Sequence, residues 1–410
     1  MWQSNQVVLA ALNSSLGVRG WQCIKSGKPG DWRALKTEDG GTAETELPAI
    51  VVSPGTHVLI DDYMLDLNLS NASERRHRPQ KDETNPILRE TQDWENRMHM
   101  FGSVVQVSSS ELRIYYVIDG VYGLYTCMAV SLNSGRTWLK PNLGLFGFGK
   151  NNSTQNNIVF ATPPGSGKRA ADAPMGQDWL GFVGLNGDPA AVLSPQAFVA
   201  TMSRPSWLVH GPSNCSGGKY ILTSPDGLRF NTSVSDDCFL THPDDTQNVI
   251  VYDSHRRSQL MFNRIDERPS PNDLKHHCPC NDDPPERKVA VAQLFSITTP
   301  PRAGKWPARQ IALNYDLATR PCPTLPENCT DLYSNAANAY EDTFVLLPTA
   351  FSHWRGIGRY PDGQPVVSDG PMWTRLAVAR DALGDFSYVN NDRSPWIPRG
   401  SGSFNWTVRL

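Results

Sequence analysis

The chain of 410 residues contains no long apolar run. Its longest, such as Val7-Val8-Leu9-Ala10-Ala11-Leu12, fall far short of the ~20 residues a membrane span needs, so no span is expected. An excess of either charge is also missing. Lys+Arg 38 stands against Asp+Glu 41, the net charge is -3, and charged residues make up only 19%. Nucleic acid and anionic membrane surfaces are therefore excluded as main partners. Sustained 3.6-residue periodicity is scarce, which argues against a helical fold. A basic segment before the first apolar run is lacking too, so residues 1–17 make a poor signal peptide. What is present is 39% hydrophobic residues, enough to exclude wholesale disorder and to build a sizeable core.

Turn formers are abundant, with 32 Gly and 32 Pro. From about His57 onward, short β-rich runs recur between Gly, Pro, Asn and Asp. Examples are LRIYYVI, YTCMAV, WLGFVGL, KYILTS, QNVIVYD, KVAVAQL and TFVLLPTAF. Residues 1–50 show no clean period and read as a poorly ordered lead-in, leaving 51–410 as one β domain. A hairpin element repeats within it, at Ser131–Trp138, Ser224–Phe230 and Arg380–Phe386, with a degenerate copy at Ser296–Trp306. The spacings are about 93, 72 and 84 residues, long enough for roughly four strands each. That is the rhythm of propeller blades, and the turns at Asn133, Asp226 and Asp381 are expected in different blades. Asn or Asp bonding its own backbone, with Gly at positive φ, suits such turns.

The eight cysteines and the Asn-x-Ser/Thr sequons point to a secretory route. Sequons occur at Asn13, Asn68, Asn71, Asn151, Asn152, Asn214, Asn231, Asn328 and Asn405. Cys215/Cys238 and Cys322/Cys329 flank short loops and are plausible bridges. No cofactor and no metal is expected. His276-His277-Cys278-Pro279-Cys280 offers one compact cluster where zinc usually needs two ligand pairs. Gly165-Ser166-Gly167-Lys168 lacks the spacing of a phosphate loop.

The order of several segments resembles glycoside-hydrolase-like five-bladed β-propellers, the broad group around families 32 and 43 and their family-32-N-terminal-like relatives. The segments are LIDDYML (59–65), NPIL (85–88), DWE (93–95), GSVV (102–105), SLNSGRTW with KPNLGL, SPDGLRF (224–230), DDTQNVIVYD (244–253), NAYEDTFVLLP (338–348) and LAVARD (376–381). The resemblance implies an all-β, five-bladed propeller whose last blade is incomplete or closed differently. It also implies cleavage of a glycosidic bond in an oligo- or polysaccharide by a monomeric secreted enzyme. The WMNDPNG-type opening of family 32 is absent, and Asn405 stands where relatives would carry an aspartate.

Glycosidic cleavage needs two carboxyl groups, one to protonate the leaving oxygen and one to attack or to activate water. In a propeller, acids at the heads of inner strands meet at one funnel. Asp62, Glu95, Asp245 and Glu341 stand at or near the heads of four β-runs and are the candidate catalytic residues. Trp94 and Tyr340 are candidate sugar platforms. Arg264 and Asn248 are candidate ligands for hydroxyl or carboxylate groups. Each has a plainer alternative: a capping acid, a solvated acid, a core aromatic, a structural ion-pair partner. A non-catalytic propeller that binds glycan or protein is the competing function.

Overall fold

The structure is a computed structural model. It describes residues 7–8, 18–25, 31–36, 56–60, 77–99, 103–120, 123–148, 151–161, 179–187, 197–203, 219–230, 248–267, 286–294, 309–314, 330–352 and 372–397. Among these the architecture is all-β, with a single 3-10 turn at Val389–Asn391. A small antiparallel sheet comes first: β1 (Val7–Val8), β2 (Val18–Lys25) and β3 (Asp31–Lys36), in that order.

Four antiparallel sheets follow, arranged as propeller blades. Blade one holds β4 (Met98–His99) and β5 (Val104–Gln106), both paired to β6 (Leu112–Gly120), then β7 (Gly123–Ser131) and β8 (Ile158–Ala161). Blade two holds β9 (Trp179–Leu185), β10 (Phe198–Ser203) and β11 (Lys219–Ser224). Blade three is β12 (Asn248–Asp253), β13 (Ser258–Glu267), β14 (Glu286–Leu294) and β15 (Gln310–Leu313). Blade four is β16 (Thr330–Tyr340), β17 (Thr343–Ser352), β18 (Met372–Thr374), β19 (Ala377–Ala379) and β20 (Ser387–Tyr388). Of the five blades expected from sequence, four are present among the described residues.

Each blade is buried on both faces, and strand alternation sorts its side chains. On β6, Tyr115 packs toward blade two with Met128, Leu180, Phe198 and Leu222. Its neighbours Ile114, Tyr116 and Ile118 pack on the other face with Tyr125, Cys127 and Ile158, under Leu88, Trp94 and Met98. Phe182, Val199 and Ile221 meet Ile250 and Met261 between blades two and three. The largest seam joins blades three and four through Leu260, Phe262, Val291, Phe344, Leu346 and Phe386. The first strands are innermost, since β12 packs between β9 and β16.

The three repeated turns lie in three different sheets, after β7, β11 and β19. They share one mechanism. Asn133 Oδ1 accepts from the Thr137 N–H at 2.9 Å, Asp226 Oδ1 from Leu228 and Arg229 at 2.8 and 3.0 Å, and Asp381 Oδ1 from Leu383 at 2.8 Å. Gly227 shows why glycine is needed in the second. Its φ is +72°, and a Cβ there would sit 2.6 Å from the Tyr115 hydroxyl. That hydroxyl donates to Gly227 O at 2.9 Å, tying blade one to blade two.

Because the meanders are antiparallel, successive connections alternate between two ends of the propeller. One end holds the turns 107–111, 132–138, 254–257, 341–342 and 380–386 and is bound across blades. Arg256 bridges Asp253 of its own turn at 2.8 Å and Asp381 of blade four at 2.7 Å. Arg113 donates to Asp226 O. Residues 56–60 are clamped here as well: His57 Nδ1 lies 2.8 Å from Asp342 Oδ2, and Arg380 pairs with that same oxygen at 2.8 Å. Ile60 packs on the outer face of blade four, while Leu88 and Trp94 cover the outer face of blade one. The segment before β4 thus contacts both the last and the first sheet. At the other end β8, β10, β13, β15 and β17 finish and β9, β12 and β16 begin.

Candidate functional site

The inner strands β9, β12 and β16 begin at the end opposite the Arg256 and Asp342 ion pairs. Asn248 begins β12 and is 1% exposed. Thr201 on β10 donates its hydroxyl to Asn248 Oδ1, while the Asn248 side-chain NH2 has no partner among the described residues. Asn335, on β16, is as deeply buried, and neither its oxygen nor its nitrogen finds a partner among them. The Trp179 indole N–H, at the head of β9, is in the same state. Buried polar atoms normally are paired, so each of these marks a place where water or ligand can bond.

Blade one adds a titratable pair that is not among the expected site residues. His99 ends β4, and its Nε2 stands 4.0 Å from Asp119 Oδ2 on β6. His99 lies opposite Val117, which packs with Trp179, so the pair shares the seam between blades one and two. Burial lowers the His99 pKa; Asp119 pushes it up, less strongly, and Arg97 pushes it down. The imidazole is therefore neutral at neutral pH, able to accept one hydrogen bond and donate another. The signal open to sequence reading was only that His99 precedes GSVV and that Asp119-Gly120 ends IYYVI.

The expected site residues are not all gathered there. Asp245 stands three residues before Asn248 in sequence but lies outside the described residues, as do Asp62, Asn405 and the four cysteines expected to pair. Glu341 occupies the two-residue turn between β16 and β17 with φ 53°, exposed, beside the half-exposed Tyr340. This is the clamped end of the propeller, opposite the head of β12. The physical reason is the identity of the inner strand. TFVLLP forms β17, the second strand, apolar because it is buried on both faces; the inner strand is β16, whose small and polar residues Ser334, Asn335, Ala336 and Ala337 suit the crowded axis.

Glu95 is buried, but it is fully engaged. Its Oε1 accepts from the Tyr116 hydroxyl, and its Oε2 from the N–H groups of Thr91 and Gln92 at 2.8 and 3.1 Å and from Lys140 Nζ at 2.5 Å. It pins the 91–95 loop to the outer face of blade one. Burial, reinforced by Cys127 and Glu95, drives the Tyr116 pKa far up, so the phenol stays a donor. Trp94 is part of the same core: its indole donates to Asn157 Oδ1 at 3.0 Å and its ring packs edge-on to Phe148 at 6.2 Å. Arg264 is 1% exposed; it donates to Tyr333 O at 3.0 Å and stacks 4.8 Å from that ring, joining blades three and four. Cys127 is a buried free thiol whose pKa is pushed well up by burial. Among the described residues no group of three His, Cys, Asp or Glu is placed to hold a metal ion, and no helix is long and apolar enough to cross a membrane.

No protein-family model and no curated protein matches the chain. Among solved structures it is similar to glycoside hydrolases. One is an α-L-arabinofuranosidase from Podospora anserina in complex with cellotriose, 11% identical, covering 72% of this chain and 69% of that one, TM-score 0.34. Another is a glycosyl hydrolase from Bacteroides ovatus, 11% identical, covering 80% and 82%, TM-score 0.39. A third is an inulosucrase from Halalkalicoccus jeotgali bound to kestose, 11% identical, covering 70% and 64%, TM-score 0.36.

Proposed function

We propose that the protein is a glycoside hydrolase acting on an oligo- or polysaccharide at the end where β12 begins. The observation that carries this is the polarity of the two ends. One is bound by cross-blade ion pairs; at the other, β12 begins with Asn248, whose buried side-chain NH2 has no partner among the described residues. Sites on rigid scaffolds are built from long loops above such a floor. Asp245, three residues before β12 in sequence, is the proposed base, nucleophile or transition-state stabiliser, with Asp62 as the second carboxylate. Asn248 is proposed as a substrate ligand, and His99 and Asp119 as polar groups at the rim. A reducing-sugar assay over a panel of arabinan, xylan and fructan oligosaccharides tests the reading: release by the parent and its loss in Asp245→Asn are expected.

The proposal extends to the remaining expectations: a fifth blade, residues 51–410 as one domain after a lead-in of 1–50, a secreted monomer, and no cofactor. A second reading, a glycan-binding propeller without turnover, is favoured by one observation. Neither described acid that was expected to be catalytic serves that end: Glu95 is consumed by four hydrogen bonds, and Glu341 lies on the far turn. Binding of the same oligosaccharides without any release identifies that case.

A further inference from the structure

Blade one carries a groove that hydrolysis does not use. Pro86, Ile87, Leu88, Arg89, Thr91 and Gln92 form one wall; Trp138, Leu139 and Lys140 form the other, around about 350 Å³. That lies in the range of small-ligand sites, roughly 300–1,000 Å³. The walls are fixed. Leu139 exchanges two 2.8 Å backbone hydrogen bonds with Val130 on β7. Lys140 is anchored by Arg89 O, Thr91 Oγ1 and the sealed carboxylate of Glu95.

The lining specifies a chemistry. Ile87 and Leu139 are exposed, and Trp138 presents an aromatic surface beside them. No Asp or Glu lines the groove. The Lys140 charge is neutralised by Glu95, and its three protons are all in use. Arg89 remains: its guanidinium is exposed and has no partner among the described residues, and the Gln92 side-chain amide beside it is equally unengaged. The Trp138 indole N–H is covered without an acceptor. The groove therefore offers an apolar surface, an aromatic ring, an amide and one uncompensated cation. A ring with CH faces and a carboxylate answers all four, since CH groups lie on aromatic faces and guanidinium binds carboxylate in bidentate fashion. An extended peptide adding as a strand fits less well, because Leu139 spends both its N–H and its C=O on Val130.

We propose that this groove binds a uronate residue of an acidic glycan. The site is independent of turnover, being built between the 86–92 loop and residues 138–140 of blade one rather than at the heads of the inner strands. Calorimetric titration of the full chain with trigalacturonate, its methyl ester and xylotriose tests it. Trigalacturonate should bind, with both neutral probes weaker by about tenfold or more, the scale of a charge-assisted pair. Arg89→Glu should lose the same factor, and it is an exposed change that spares the fold. Trp138→Ala should weaken all three probes. Asp245→Asn should leave trigalacturonate binding unchanged, which separates this site from the hydrolytic one. The proposal is overturned by absence of trigalacturonate binding at millimolar concentration, by equal affinity for the methyl ester, or by unchanged binding in Arg89→Glu. It is also overturned if a glutamate-rich peptide binds more tightly than the sugar, which makes the groove a protein-docking surface.

Discussion

Replacing Glu95 by alanine separates a structural acid from a catalytic one. The side chain is wholly covered, and its two oxygens accept from Tyr116, Thr91, Gln92 and Lys140. Removing it strands two backbone N–H groups, a buried phenol and a Lys140 ammonium that is only 9% exposed. Deleting one partner of a buried ion pair costs about 3–5 kcal/mol. Lys140 keeps Arg89 O and Thr91 Oγ1, so the lower part of that range applies. Against a usual stability of ~5–15 kcal/mol this is a large fraction. Urea unfolding should show the midpoint falling with little change in slope, and Glu95→Gln should lose less because it preserves shape. Sugar turnover by the folded fraction should stay near the parent's. A variant that unfolds at the parent's urea concentration yet hydrolyses nothing would refute the reasoning and make Glu95 catalytic.

Gly227→Ala should destabilise by about 2 kcal/mol, combining left-handed φ with a 2.6 Å clash at the Tyr115 hydroxyl, and thermal unfolding reads it directly. Tyr115→Phe, which leaves Gly227 O without its donor, should cost ~1 kcal/mol in the same assay. The Asp342 carboxyl is held below its ordinary value: burial opposes this, but the His57 bond, the Val58 N–H and Arg380 outweigh it. Its contribution is therefore present above the unfolded pKa near 3.9 and is lost as pH falls through the lower folded pKa. Asp342→Asn should lower stability at neutral pH and flatten the acid limb of stability against pH; a parallel limb contradicts the clamp.

Much of the fold was readable because turns are local. Asn133, Asp226 and Asp381 bond backbone N–H groups two to four residues ahead, and no distant contact is needed to anticipate them. The site was harder to read. Apolar TFVLLP looks like an inner strand, but apolarity reports burial on both faces and not closeness to the axis. Asn335 and Ala337 on the inner strand look like a loop by composition. Misassigning one strand moves Glu341 from one end of the propeller to the other. Glu95 could not be resolved from sequence either, since its partner Tyr116 lies on β6 and Lys140 lies beyond β7.

The central claim is that glycosidic bonds are cleaved at the end where β12 begins and not at the turn end. Reducing-sugar release by the parent, Asp245→Asn and Glu341→Gln, measured side by side on one oligosaccharide panel, tests it most directly. The account predicts release by the parent, a loss of ~10²-fold or more in Asp245→Asn, and parental rates in Glu341→Gln. Loss of activity in Glu341→Gln with Asp245→Asn unimpaired would contradict it.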